Sequence, residues 1–224
     1  MLDGFERPFR DRTDAGRELA RRLVQYRRHA GVIILALPRG GVPVGYEVAL
    51  ALEVPLDLVL VRKLGVPGRE ELAMGAIATG GHIFVDRWLV QRLQITQSEL
   101  DDVIARERKE LERRERAYRD DRPPPEVAGK TVICIDDGLA TGASMRTAAS
   151  ALRSGNPAAI VIAVPLASPD VALDLRDVAE RVVVARTPER FRALSLWYED
   201  FSQVTDEEVR DLLARAAQRP IQQT

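Results

Sequence analysis

The chain has 224 residues, 46% of them hydrophobic, and a formal charge of -1, the profile of an ordinary soluble globular protein with room for one substantial core. Acidic and basic residues balance at 34 and 33, so no lasting basic excess marks a nucleic-acid-binding surface. One cysteine, Cys134, rules out an intrachain disulfide and suits a reducing compartment.

The N-terminus, MLDGFERPFRDR, carries charges where a signal peptide needs an apolar core. No apolar run reaches the roughly 20 residues of a membrane span, and a cytoplasmic location is expected. Thr13 is read as the cap of a first helix whose Leu19, Leu23 and Tyr26 form an inward stripe. GVIILALP (31–38) follows as a continuous apolar strand, and Pro43 suits the first turn of a helix running to about Leu52. LDLVLVRKL (56–64) reads as one strand, the stretch after Lys63 to Gly75 as Gly- and Pro-punctuated with no clear period, and HIFVD (82–86) as a further strand.

From Ser98 to Arg122 the pattern changes to a charged helix about 33 Å long, with Leu100, Ile104, Leu111 and Tyr118 on one narrow stripe. A solvated, salt-bridged face or a contact with another chain both fit it. PPPEVAG (123–129) ends the helix. Three strands follow, TVICIDD (131–137), AIVIAVPLA (159–167) and ERVVVAR (180–186), separated by helices at 142–154 and 169–179. TDEEVRDLLARAA (205–217) opens on a capping threonine and an acidic first turn. The alternation predicts an α/β fold: an open, mainly parallel sheet flanked by helices, read as a single domain over 1–224. Cys134 lies within a strand and is expected to be a small buried hydrophobe.

Three loops stand at carboxyl ends of predicted strands, where such sheets gather ligands. PRGGVPVG (38–45) offers Arg39 as a planar fork and Gly40 and Gly41 for close backbone approach, although a plain tight turn fits equally well. VRKLGVPGREELAMG (61–75) brings Arg62 and Lys63, the latter one of three lysines, to the start of a stretch that suits a mobile lid or a plain surface loop. The third loop, VICIDDGLATGAS (132–144), places Asp136 and Asp137 side by side and then turns through Gly138, Leu139, Ala140, Thr141, Gly142, Ala143 and Ser144. Hydroxyls and backbone N–H groups at a helix start make a seat for a terminal phosphate. Two carboxylates beside that seat suit ribose hydroxyls or a Mg²⁺ ion, directly or through water. A sugar phosphate satisfies both halves. The nucleotide P-loop and the dinucleotide glycine fingerprint do not fit, because Ala143 follows Gly142 and the acids precede the glycines.

VICIDDGLATGAS resembles the phosphoribosyl-pyrophosphate signature of type I phosphoribosyltransferases, with Ser144 where the last threonine usually stands. PRGG is similar to that family's pyrophosphate loop, a place where it often has a non-proline cis peptide, and VRKLG to the segment leading into its catalytic loop. The resemblance implies that Asp136 and Asp137 hold the ribose hydroxyls, residues 138–144 the 5′-phosphate, and Arg39, Gly40 and Gly41 the pyrophosphate. Arg62 or Lys63 assist, Mg²⁺ bridges pyrophosphate and ribose, and a lid over 64–82 excludes water. It also implies a homodimer in nucleotide salvage, with a nucleobase as acceptor under a hood at 186–204. Phe191, Trp197, Tyr198 and Phe201 cluster there, as a stacking plane or as plain hydrophobic cover. The alternatives are a non-catalytic module that senses phosphoribosyl pyrophosphate and, last, a synthetase that makes it. The long helix at 98–122 has no counterpart in the resemblance. Neither nucleic acid nor membrane is expected as a partner.

Overall fold

The computed structural model describes residues 7–119, 122–188 and 191–218. In chain order the elements are α1 (Arg12–Arg21), β1 (Val32–Ala36), α2 (Gly41–Leu52), β2 (Leu56–Leu58), β3 (Val61–Val66), β4 (Arg69–Ala78) and β5 (His82–Val85). They continue as α3 (Arg87–Arg92), α4 (Gln97–Arg119), β6 (Thr131–Ile135), α5 (Ala143–Leu152), β7 (Ala159–Leu166), α6 (Pro169–Asp174), β8 (Arg181–Arg186) and α7 (Asp206–Ala217).

Continuous apolar strands need cover on both faces, and here they have it. Five of them form a parallel sheet in the order β2-β1-β6-β7-β8. Side chains alternate across β1: Val32 and Ile34 pack with Leu19 and Leu23 near α1 and with Val44 and Val48 of α2, whereas Ile33 and Leu35 pack with Met145, Ala148 and Leu152 of α5. The expected α/β architecture is therefore observed. Cys134 is fully buried in this sheet, and burial pushes its thiol up to about 12, so it acts as a small apolar side chain.

The pairing of β1 with β6 decides where the site forms. Val32 sits opposite Thr131 and Ala36 opposite Ile135, so the two strands end level with each other. β2 lies on one side of β1 and β6 on the other, which makes the β1/β6 junction the point where the strand order reverses. Ligand crevices open at such points. The loops beginning at Leu37 and Asp136 emerge there together.

Three expectations need correction. The apolar run at 56–64 is two strands: Val59 donates to Ala36, then Leu60 turns away and exchanges hydrogen bonds with Thr79, so β3 belongs to a separate antiparallel sheet β3-β4-β5. The segment 64–75, read as having no clear period, is mostly the β3–β4 hairpin turning at Gly68, whose φ of 74° suits a residue without Cβ. The cap of α1 is Asp11, not Thr13, because the Asp11 carboxylate accepts the Asp14 N–H at 2.7 Å.

The long helix also has a clear place. α4 runs from Gln97 to Arg119, and residues 120 and 121 of the expected helix lie outside the described residues. Its Leu100, Val103 and Leu111 pack with Leu64, Met74 and Ile77 of the hairpin sheet and with Val209, Leu212 and Leu213 of α7. A second core thus lies beside the parallel sheet, and α4 is one wall of it. Its C-terminal Arg119, 2% exposed, is satisfied by Asp57 at 2.7 Å, Glu115 at 3.1 Å and the Leu58 carbonyl. The other face of α4 carries ion pairs such as Arg113–Glu110 and Arg114–Glu110, as a solvated helix surface should. No helix among the described residues is long and apolar enough to cross a membrane.

Candidate active site

At the level ends of β1 and β6, the PRGG loop and the acidic pair touch. Gly40 has ordinary helical dihedrals, φ -60° and ψ -32°, so its backbone does not require glycine. Its surroundings do: a Cβ there would lie 2.1 Å from Asp137 Oδ2. A Cβ on Gly41 would meet the Ile135 carbonyl at 2.7 Å and Asp136 Cα at 2.9 Å. The two glycines let one loop lie against the other, and the Pro38–Arg39 peptide is cis, as the resemblance implied for this loop.

Beyond the acids the chain turns through Gly138, φ 155°, and Gly142, φ 71°, into the first turn of α5. Leu139 donates to the Leu166 carbonyl at 2.8 Å and anchors the loop to β7. Ala140, Thr141, Ala143 and Ser144 are exposed at the helix start, where N–H groups without an intrahelical partner and the helix dipole favour an anion, and the Ala143 N–H donates to Thr141 Oγ1 at 3.4 Å. The start of α5 and the acidic pair are thus contiguous in the chain.

The two aspartates differ in environment. Desolvation and the charge of Asp137 push the Asp136 carboxyl well above the usual carboxylate range, against the pull of the Asp137 N–H, which Asp136 Oδ1 accepts at 2.9 Å, and of Arg12. Asp137 pairs with Arg12, whose Nε lies 2.8 Å from Oδ2. No spacing or motif marks Arg12 in the sequence, and its role emerges only in the fold. Its Nη1 donates to the Ser202 carbonyl at 2.8 Å and its guanidinium lies 4.1 Å from the Phe201 ring centroid.

The remaining candidates are distributed as follows. Arg39 is partly exposed near the site, 3.7 Å from Asp206 Oδ1, which also accepts the Tyr118 hydroxyl at 2.7 Å. Adjacent Arg62 and Lys63 point to opposite sides of β3. The partner of Lys63 across the hairpin is Ala76, which packs in the core of α5, and Lys63 is exposed on that side. The partner of Arg62 is Ile77, in the core of α4, and there Glu107 takes Arg62 at 2.9 and 2.6 Å. Arg62 is thus engaged by the long helix for which the resemblance has no counterpart.

The hood residues pack together, apart from 189 and 190, which lie outside the described residues. Tyr198 is 5% exposed, contacts Phe9 and Phe201 with ring centroids 5.6 and 5.0 Å away, and donates its hydroxyl to the Asp137 carbonyl at 2.6 Å. Burial and the charge of Asp137 raise the phenol's pKa, so it stays a donor. Its ring is structural cover in this state. Phe191 and Trp197 pack against the same cluster and remain partly exposed. The cluster includes Phe9, which sequence reasoning missed: the N-terminal segment pairs with the hood through Phe9–Trp197 and Glu199–Phe9 backbone bonds of 2.9 and 2.8 Å.

Asp136 and Asp137 are the side chains here that could hold a Mg²⁺ ion. Among the described residues no cluster of three or more His, Cys, Asp or Glu side chains could hold a metal alone. Two carboxylates on one edge, one already sharing an oxygen with Arg12, suit an ion completed by water and substrate oxygens.

A family model for the phosphoribosyl transferase domain matches residues 10–192. The chain belongs to the phosphoribosyl transferase family. A Mycobacterium tuberculosis protein with the provisional name phosphoribosyl transferase is 40% identical over 208 residues, covering 93% of this chain and 47% of the relative. This phosphoribosyl transferase chain therefore spans about half the length of the curated relatives it matches. The bifunctional protein PyrR of Brevibacillus brevis is 33% identical over 104 residues, covering 43% of this chain and 58% of that protein. The crystal structure of TT1426 from Thermus thermophilus superposes with a TM-score of 0.81 at 42% identity, covering 93% of this chain and 98% of that one.

Proposed function

We propose that this chain transfers the 5-phosphoribosyl group of phosphoribosyl pyrophosphate to a nitrogen acceptor, a nucleobase or similar heterocycle, and releases pyrophosphate. One arrangement carries the reading: the acidic pair at the end of β6 lies against the paired-glycine loop, where a Cβ on Gly40 would fall 2.1 Å from Asp137 Oδ2, and the chain runs on from it through Gly142 into the start of α5. Few ligands other than a sugar with phosphate at both ends use all three parts together.

In this reaction the C1–O bond to pyrophosphate breaks, a C1–N bond forms, and the acceptor nitrogen releases its proton. The α5 amides and the hydroxyls of Thr141 and Ser144 hold the 5′-phosphate. Asp136 and Asp137 accept from the ribose hydroxyls and set negative charge beside a ribose ring that becomes positive as the bond lengthens. Backbone at Gly40 and Gly41 approaches the pyrophosphate, and Arg39 and Lys63 offset its charge. Asp136 and Asp137 would be the residues to hold a Mg²⁺ ion, which would supply charge neutralisation for the leaving group. The β3–β4 hairpin, in which the first half of β4, Arg69–Ala73, is exposed, is the segment suited to cover the reaction from water. Phe191 and Trp197 are the aromatic planes left for the acceptor, with Tyr198 behind them. The reading extends to a cytoplasmic homodimer in nucleotide salvage, checked by sedimentation of the full chain.

The deciding experiment is calorimetry with phosphoribosyl pyrophosphate and Mg²⁺, followed by pyrophosphate release measured across a panel of bases. Release with one base supports the transferase. Binding with no turnover on any base favours the sensing module, a reading consistent with Arg12 already seated on Asp137.

A further inference from the structure

The N-terminal segment lies outside the three ligand loops, yet it reaches the centre of the site. Arg12, at the first turn of α1, is only 11% exposed in its side chain. Its guanidinium group meets a carboxylate, a carbonyl and a pair of rings. Nε binds Asp137 Oδ2 at 2.8 Å, Nη1 binds the Ser202 carbonyl at 2.8 Å, and the plane covers Phe201 at 4.1 Å and reaches Tyr198 at 6.0 Å. Tyr198 in turn grips the Asp137 backbone at 2.6 Å. Asp137 is thus held by its side chain and its main chain, and both grips lead to residues 198–202.

A buried ion pair on a surface helix gains little net stability, since desolvation offsets most of its attraction. The arrangement has a different consequence. A fork that binds one carboxylate oxygen, one carbonyl and one ring fixes the carboxylate's rotation only while all three partners are in place. Movement of the hood at Phe201 therefore reaches the sugar-binding acid directly.

We infer that Arg12 is a positioning residue that couples the hood to the ribose-binding carboxylate, so that packing at Phe201 sets how well the acid pair receives the sugar. This rests on the transferase or sensing reading above, since both require phosphoribosyl pyrophosphate at Asp137. The coupling makes sugar binding sensitive to the acceptor side, with no acceptor atom touching Asp137.

The test is a double-mutant cycle read by calorimetric affinity for phosphoribosyl pyrophosphate with Mg²⁺, using the full chain. Phe201→Leu, which keeps apolar volume but loses the ring face, is expected to weaken binding about five-fold, as is Arg12→Gln. The double variant should bind no worse than Arg12→Gln alone, because the path is already cut. Arg12→Lys, which keeps the charge but not the fork, should resemble Arg12→Gln; should the Gln variant not fold, the Lys variant closes the cycle in its place. Wild-type affinity in Phe201→Leu, multiplicative losses in the double variant, or full rescue by lysine would each overturn the coupling. Absence of binding by the wild-type chain would instead sink the functional reading itself, and the coupling with it.

Discussion

At the residue scale, Asp136 carries a cost that its neighbours do not remove. Its carboxyl is desolvated and faces the charge of Asp137, so the folded chain holds its proton more tightly than the unfolded chain does. Stability from this group is therefore greatest in acid and falls as pH rises through its folded pKa. Asp136→Asn, compared with wild type in EDTA, is expected to raise stability at neutral pH by on the order of 1 kcal/mol, with the gap closing as pH is lowered toward about 4. The same variant should lose affinity for phosphoribosyl pyrophosphate, and a variant that neither gains stability nor loses affinity would contradict the assignment. Gly40 gives the reverse case. Gly40→Ala needs no new backbone conformation, but its methyl meets a carboxylate that Arg12 prevents from swinging aside. A loss of roughly 1–3 kcal/mol in denaturant unfolding is expected, together with impaired ligand binding. The sequence already pointed to both positions, through paired acids at a strand end and paired glycines at another. It held no sign of Arg12, because one arginine among many at a helix start looks the same whether it faces water or a carboxylate 125 residues away.

At the element scale, α1 and the hood are fastened by Arg186 at the end of β8. Its guanidinium binds Glu18 at 2.9 and 2.5 Å, donates to the Arg7 carbonyl at 2.6 Å and covers the Phe9 ring at 3.8 Å. The Arg186 bond holds the Glu18 carboxyl below the usual carboxylate range. A carboxylate with a lowered folded pKa stabilises the fold above its unfolded pKa and stops doing so as pH falls through the folded value. Glu18→Gln should therefore cost about 0.5–1 kcal/mol at pH 7 for this partly exposed pair, and the difference from wild type should vanish in acid unfolding below about pH 4. The other informative element is α4. Read as a mostly solvated helix, it is a wall of the second core, with Leu111 at 1% exposure. Leu111→Ala should cost roughly 2–4 kcal/mol, measured by urea unfolding; a change under about 1 kcal/mol would return α4 to the status of a surface appendage. The apolar stripe in the sequence named Leu100 and Leu111 correctly. What it could not show was that a hairpin sheet and α7 would supply the opposite wall, since that depends on where the chain leaves the first sheet at Leu60.

At the scale of the whole molecule, two bodies of structure lie side by side: the parallel sheet, with the 38–45 and 132–144 loops at the carboxyl ends of β1 and β6, and the hairpin–α4–α7 unit, whose β3 carries Arg62 and Lys63. Ligand binding across such a junction should stabilise the assembly as a unit. Saturation at about 100 times Kd corresponds to about 2.7 kcal/mol, so thermal unfolding should shift upward with phosphoribosyl pyrophosphate plus Mg²⁺ and much less when EDTA removes the ion. An equal shift without metal would argue against an ion shared with the substrate. The parallel sheet was readable because its strands are short, continuous and rich in Val and Ile. The hairpin was not, because Pro67 and Gly68 at its turn and the charged outer half of β4 have the composition of an irregular loop.

The level pairing of β1 with β6 also bears on how the protein is made. Val32 and Thr131 are neighbours in the sheet, yet the hairpin and α4 are synthesised between them. The hairpin can close locally while β1 waits with one hydrogen-bonding edge open, and long-range pairing of this kind is slow. During translation, then, the nascent polypeptide passes through an interval in which the fully apolar strand β1 is unprotected. Chaperone capture would act there, and the β1/β6 junction would form only once β6 has been synthesised.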